Sequence, residues 1–171
     1  SLLFLGYGAG NNNEVGEFRG YFHFFHNENG GNSEDNNFAR LPSGAVVTSA
    51  SFNICLIGTP SGDKGYNASG CPQLSMELCE VTQDKPSSQS YKDWITGLTW
   101  NTKPSVDTEH IVDYTVVSAE LQGPYIGWDM TGLVKRWLAG GTKNRTIAIK
   151  PTNNDDYSGN HCAIIRAYAY D

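Results

Sequence analysis

The stretch from Tyr125 to Gly141, YIGWDMTGLVKRWLAGG, predicts a strand that runs directly into a short helix. The apolar residues of its second half recur at helical spacing and would share one face: Leu133, Val134, Trp137 and Leu138. Thr131 or Asp129 is suited to cap the start of this helix, and the two glycines that follow it are typical of a stop. Because a helix of about two turns is unstable alone, we expect it to cap one end of a larger core, from about Thr131 to Leu138.

The rest of the chain predicts strands separated by polar loops. In the segment TSASFNICLIG, Phe52 and Ile54 fall on one face and Ser51 and Asn53 on the other, as expected of a strand with one buried face. About eight such runs occur: residues 1–8, 18–25, 45–58, 74–82, 110–121, 123–130, 145–152 and 161–170. They predict an all-β fold, an antiparallel β-sandwich of the jelly-roll type, in which the capping helix is the only helix.

Charge and hydropathy argue against two classes of partner. The formal net charge is −6, and the longest basic run is Lys135-Arg136, so a surface that neutralises phosphates is not predicted. No apolar run approaches the ~20 residues that cross a bilayer as a helix. We therefore predict neither nucleic-acid binding nor a membrane span.

Cysteines and glycosylation motifs indicate a location outside the cell or on its surface. The cysteines show no Cys-x-x-Cys spacing, which leaves disulfides or buried thiols, and they allow three pairings: Cys55, Cys71, Cys79 and Cys162. Two Asn-x-Ser/Thr motifs, at Asn67 and Asn144, fall in stretches predicted to be loops. Disulfides and glycosylation are together typical of exported proteins.

Five blocks of the chain, in order, resemble one known family. The segment GWDMTGLVKRWLAGGTKNRTIAIK resembles the Asp-Val-Thr-x-x-Val-x-x-Trp signature of the DNRLRE domain family, which is also classed as carbohydrate-binding module family ninety-six. The other four blocks are FRGYFHF, LPSGAVVTSASFNICLIG, DWITGLTWNTKP and HCAIIRAYAY. The resemblance implies one jelly-roll domain over residues 1–171, polysaccharide binding as in members that bind alginate, and no catalytic residues.

The sequence departs from the family pattern in three places. The family's first strand precedes the block that SLLFLGYG resembles, so we expect it to be lacking here, whether cleaved, disordered or supplied by a neighbouring subunit. A long polar insertion, HNENGGNSEDNN, precedes the Leu-Pro turn. The four cysteines are unusual for the family and suggest an exported variant with disulfides.

The candidate ligand-binding residues combine aromatic rings, which stack on sugars, with arginines, which bind acidic groups. Two pairs of them lie in strands and two tryptophans in the DWITGLTWNTKP block: Arg19, Tyr21, Arg166, Tyr168, Trp94 and Trp100. We expect the arginines and tyrosines to share one concave face. The alternative is that the tryptophans belong to the core and turns and that the charges are solvated on an outer face.

Two loops rich in oxygen ligands predict a calcium site, although ordinary polar loops explain them equally well. Their acidic residues are Glu34, Asp35, Asp155 and Asp156.

No nucleophile elbow or phosphate-binding loop occurs, so we do not predict an enzyme.

Two functions follow from these observations. The first is a non-catalytic carbohydrate-binding module or cell-surface domain, favoured by the family resemblance. The second is a structural subunit of an extracellular filament or surface layer, in which a copy of the chain or a larger parent chain donates a strand to an open sheet edge. The Gly-, Asn- and Tyr-rich composition of low charge favours the second, and we place carbohydrate binding first.

Overall fold

Short antiparallel strands build most of this protein. The computed structural model describes residues 2–9, 15–24, 44–56, 66–69, 73–118, 125–140, 144–152 and 162–168. Its elements are β1 (Leu2–Ala9), β2 (Val15–Phe18), β3 (Gly20–His23), β4 (Ser51–Cys55), β5 (Tyr66–Ser69), β6 (Gln73–Glu80), α1 (Tyr91–Thr96), β7 (Asp113–Ser118), β8 (Tyr125–Asp129), α2 (Thr131–Gly140), β9 (Thr146–Pro151) and β10 (Cys162–Tyr168). Among the described residues, no helix is long and apolar enough to cross a membrane.

The strands form three antiparallel sheets. Their orders are β2-β1-β10-β5, β3-β9-β6-β7 and β4-β8. The pairs are nested, since β1 pairs with β10, β3 with β9, β4 with β8 and β6 with β7. The predicted β-rich antiparallel fold is therefore confirmed, and the nesting pairs the first described strand with the last.

Arg19 lies at a corner between two sheets. It is the single residue between β2, which pairs with β1, and β3, which pairs with β9. At the next position, a Cβ on Gly20 would lie 2.9 Å from the ring of Phe22 and 3.0 Å from the side chain of Leu5. Since real Cβ atoms do not approach neighbours this closely, glycine lets the chain cross between sheets here.

The main apolar core lies between the inner faces of the three sheets and α2. Its largest fully buried side chains are Trp128, Trp137, Leu5, Leu74, Met76, Leu78, Leu133, Ile147, Ile149 and Val117. The indole N–H of Trp128 donates to the carbonyl oxygen of Met76 at 3.1 Å, so the core buries this polar group with a partner.

The predicted capping helix is confirmed as α2, and it extends two residues beyond Leu138. Leu133, Val134 and Trp137 are buried against the core. The carboxylate of Asp129 caps the helix by accepting the N–H of Thr131 at 2.8 Å. The hydroxyl of Thr131 instead accepts the backbone N–H of Ala50 at 2.9 Å and so ties the helix to the chain entering β4.

Two expectations about local structure are wrong. A second helix, α1, lies in a segment for which no helix was predicted, and Ser90 caps it by accepting the N–H of Asp93 at 3.1 Å. Its six residues are too few to show helical periodicity. The segment of β5, predicted to be a loop, pairs with β10 through the register Asn67 to Ile164.

Candidate functional site

A recess opens beside the corner at Arg19, with a volume of about 220 Å³. Its lining comes from the end of β2, the start of β3 and the turn after α1: Phe18, Arg19, Tyr21, Leu98, Thr99, Trp100 and Lys103. We call it the Arg19 recess. It brings together Arg19, Tyr21 and Trp100, three of the six predicted ligand-binding residues, from distant parts of the chain.

Helix α1 positions the wall that carries Trp100. Tyr91 and Trp94 are buried, and they pack with Val81 and Ala148 on the outer face of the sheet β3-β9-β6-β7. Trp94 is thus part of a small second core, as the alternative interpretation predicted, and it does not line the recess. The anchored helix holds the turn that follows it over the corner.

The turn is fixed by its own hydrogen bonds. The N–H of Thr99 donates to the hydroxyl of Thr102 at 2.9 Å, and the N–H of Thr102 donates to the carbonyl of Thr99 at 3.1 Å. Lys103 Nζ donates to the carbonyl of Trp100 at 2.9 Å. These bonds present the indole of Trp100 at the surface, where the residue is 52% exposed.

Two cations lie over the Trp100 ring. Lys103 Nζ is 3.7 Å from the ring centroid, and the guanidinium carbon of Arg19 is 5.5 Å from it. Both distances are within the range of cation–π attraction. The rim of the recess therefore combines an exposed aromatic ring with two positive charges.

The guanidinium of Arg19 is also held from the opposite side by Glu17. Its Nε donates to Glu17 Oε1 at 2.5 Å and its NH2 group donates to Glu17 Oε2 at 3.0 Å. Burial alone would lower the pKa of Arg19, but the hydrogen bonding and charge of Glu17 outweigh it and raise the pKa. Burial raises the pKa of Tyr21, against the opposing effect of Arg19, so the phenol is protonated at neutral pH. Its oxygen is buried, so Tyr21 lines the recess with its ring rather than with an exposed hydroxyl.

Beneath the recess, the outer face of the sheet carries a buried ion pair and a thiol. Lys150 Nζ lies 2.6 Å from Glu77 Oε2, and both side chains are largely buried. Cys79 pairs in register with Ala148, which in turn pairs with Tyr21. Burial raises the pKa of the Cys79 thiol to about 11.

The predicted disulfides are wrong for two of the four cysteines. Cys55 and Cys79 are free thiols, and they do not pair with each other because Cys55 lies on β4 and Cys79 on β6, in different sheets. Cys79 is instead the buried thiol that the sequence left open as the alternative. Cys71 lies outside the described residues, and Cys162 begins β10 opposite Ser69.

We expect the two free thiols to differ in reactivity. At pH 8 the thiolate fraction of Cys79 should be lower than that of an ordinary cysteine by more than about 100-fold, and burial also blocks access. Alkylation of the folded protein with iodoacetamide, followed by peptide mass spectrometry, should label Cys55 first and Cys79 only in denaturant. Equal labelling of both in the folded protein would contradict this assignment.

The other predicted ligands lie on β10 or outside the described residues. Arg166 and Tyr168 lie on β10, in the sheet β2-β1-β10-β5, where they pair with Phe4 and Leu2. Tyr21 on β3 therefore lies in a different sheet from Arg166 and Tyr168 on β10. The calcium candidates lie outside the described residues: Glu34, Asp35, Asp155 and Asp156. Within the described part of the chain, no group of three His, Cys, Asp or Glu could hold a metal ion.

The amide of Asn144 has a structural role. Its Nδ2 donates to the carbonyls of Val81 at 3.2 Å and Gln83 at 2.9 Å, and its Oδ1 accepts the hydroxyl of Thr146 at 2.6 Å. An N-linked glycan replaces one of the two amide hydrogens, so glycosylation there would require the release of one of these bonds. Asn67 lies within β5 rather than in a loop.

Lys103 is not among the predicted ligands, although it lies three residues after Trp100 in the DWITGLTWNTKP block. A cation at that spacing in a predicted turn was the available signal.

A scan of the chain against protein-family models finds no match, and a search of curated proteins finds none either.

Proposed function

We propose that this protein is a non-catalytic carbohydrate-binding module, exported from the cell, that binds a glycan through the Arg19 recess. The observation that carries the proposal is the convergence of Arg19, Tyr21 and Lys103 around the exposed ring of Trp100. An exposed tryptophan offers a face for a sugar ring, and the surrounding cations offer donors to its oxygens.

The strand pairing supports the jelly roll that belongs to this proposal. A jelly roll is built from two Greek keys, and its strands pair first with last, as the nested pairs do here. Contacts between β4 and β10 are consistent with β4-β8 extending the sheet that contains β1 and β10. We take the chain to be a DNRLRE-like sandwich on this basis.

The chemistry of the recess supports binding rather than catalysis. Its seven lining residues include no carboxylate, histidine or cysteine, whereas glycoside hydrolysis usually requires a pair of carboxylates. Its volume is below the roughly 300–1,000 Å³ of pockets that enclose a drug-sized ligand. The recess would therefore hold one sugar unit of a longer chain whose other units lie on the surface.

A glycan array followed by calorimetry on the hits tests the proposal. Trp100→Ala should weaken binding about tenfold or more, because it removes the stacking surface. Arg19→Ala should also weaken it, and Tyr114→Ala, which removes an exposed tyrosine on β7, is the matched control. If the wild-type protein binds none of the neutral and acidic glycans on the array, the proposal is refuted. Repeating the array with calcium and with a chelator tests the calcium prediction.

One observation favours the alternative of a structural subunit. β2 pairs only with Gly6–Ala9 of β1, so the segment Leu2–Leu5 has no partner on that edge among the described strands. A strand donated by another copy could pair there. Light scattering and electron microscopy test this alternative, and a protein that stays monomeric without filaments at high concentration would contradict it.

A further inference from the structure

The two-stranded sheet β4-β8 has an outer face that the Arg19 recess does not use. Its inner side chains, Ile54, Ile126 and Trp128, are buried in the core. On the other face, Ser51, Asn53, Asp129 and Tyr125 are exposed. Since successive side chains of a strand alternate between faces, these four project from the same side of the sheet.

A groove of about 450 Å³ runs along this face. Its lining residues are Ser49, Ala50, Ser51, Asn53, Gly127, Trp128, Asp129 and Thr131. We call it the β4-β8 groove. It contains hydroxyls, an amide and one carboxylate but no lysine or arginine, so its charge is opposite to that of the Arg19 recess.

The polar groups of the groove are held in place before any ligand binds. Asn53 Nδ2 donates to the hydroxyl of Ser51 at 2.9 Å, which fixes the amide and leaves its second hydrogen available to a ligand. The amide lies directly over Gly127, where a Cβ would collide with Asn53 Oδ1. Glycine at this position therefore allows the amide to lie flat against the sheet.

Asp129 supplies an acceptor at one end of the groove. Hydrogen bonding from Thr131 holds the pKa of Asp129 below its ordinary value, so the carboxylate is ionised at neutral pH. One carboxylate oxygen accepts the N–H of Thr131, and the exposed carboxylate can accept further bonds. A negative charge here disfavours anionic ligands and suits the hydroxyls of uncharged ones.

Tyr125 does not line the groove, but it supplies an aromatic platform farther along the same face of β8. It is 62% exposed, and it lies two residues from Gly127 on the same face. Alternate residues of a strand are about 6.6–6.8 Å apart, so Tyr125 and Asp129 are separated by about 13 Å across the gap at Gly127. This face suits an extended chain of sugar rings, because it offers a ring for stacking, a gap without a side chain and a row of hydrogen-bonding groups.

We propose that the β4-β8 groove is a second carbohydrate site, which takes a neutral polysaccharide chain. Tyr125 stacks on one sugar ring, while Asn53, Ser51 and Asp129 bind the hydroxyls of the next. The proposal goes beyond binding at the Arg19 recess and does not depend on it, because no residue lines both sites.

Calorimetric titration with neutral hexasaccharides tests the proposal, using β-1,4-glucan, β-1,3-glucan and β-1,4-mannan fragments, with oligogalacturonate as the anionic comparison. At least one neutral hexasaccharide should bind the wild-type protein. Tyr125→Ala and Asn53→Ala should each weaken it about tenfold, whereas Tyr125→Phe should retain it. Thermal unfolding of each variant shows whether the fold is kept.

Two further variants separate this site from the Arg19 recess. Tyr114→Ala, which removes an exposed tyrosine outside both sites, should leave the affinity for the neutral hexasaccharide within about twofold of the wild type. Trp100→Ala reports whether the ligand occupies the Arg19 recess instead. The proposal is overturned if no neutral hexasaccharide binds at millimolar concentration, or if Tyr114→Ala weakens binding as much as Tyr125→Ala. It is also overturned if Trp100→Ala abolishes binding while Tyr125→Ala leaves it unchanged, because the ligand would then occupy the recess.

Discussion

Replacing Trp137 by alanine is expected to lower the free energy of unfolding by about 3–5 kcal/mol, as large core truncations do. The side chain is only 1% exposed, and its ring centroid lies 5.8 Å from that of Phe24. Its indole N–H donates to Glu80 Oε1 at 2.7 Å, so the substitution also removes a charge-assisted hydrogen bond. Urea unfolding followed by circular dichroism measures the change.

The same substitution at Trp100 provides the matched control. Because that ring is half exposed, Trp100→Ala should change the free energy of unfolding by less than about 1 kcal/mol while weakening glycan binding. Trp137→Ala should do the opposite, with ligand affinity kept in the folded fraction. A Trp137→Ala variant that retained wild-type stability but lost binding would show that α2 serves the ligand rather than the core.

The confirmed predictions rest on local patterns in the sequence. The spacing of Leu133, Val134 and Trp137 predicts the buried face of α2, because residues three and four apart share one side of a helix. Alternation in β4 places Ile54 in the core and Asn53 at the surface, as observed. For α1, the only local signal was the spacing of Ser90 and Asp93, which is typical of a capped helix start.

The composition of the site depends on long-range pairing that no local pattern shows. Tyr21 and Tyr168 each follow an arginine by two residues, yet β3 pairs with β9 and β10 pairs with β1, so the two tyrosines lie in different sheets. Trp94 and Trp100 differ in the same way. The first faces the sheet from α1 and is buried, whereas the second follows the helix in a turn and is exposed.

Removing one partner of the buried pair between Lys150 and Glu77 is expected to lower the free energy of unfolding by about 3–5 kcal/mol. Their side chains are 6% and 14% exposed, and they lie directly opposite each other on β9 and β6. Glu77→Leu would leave the ammonium buried without its carboxylate. The double variant Glu77→Leu with Lys150→Met buries apolar groups in their place and should recover most of the loss.

A double-mutant cycle measured by chemical denaturation isolates the coupling between the two residues. The matched control is the more exposed pair of Arg136 and Glu80, joined at 3.0 Å, where Arg136→Ala should cost less than about 1 kcal/mol. A coupling energy near zero for Glu77 and Lys150 would contradict the prediction.

The pair also specifies register, because a slip of one residue between β6 and β9 would place the two charges on opposite faces of the sheet. The apolar double variant should therefore keep most of its stability, but its sequence would no longer disfavour a pairing of β6 and β9 that is shifted by one residue.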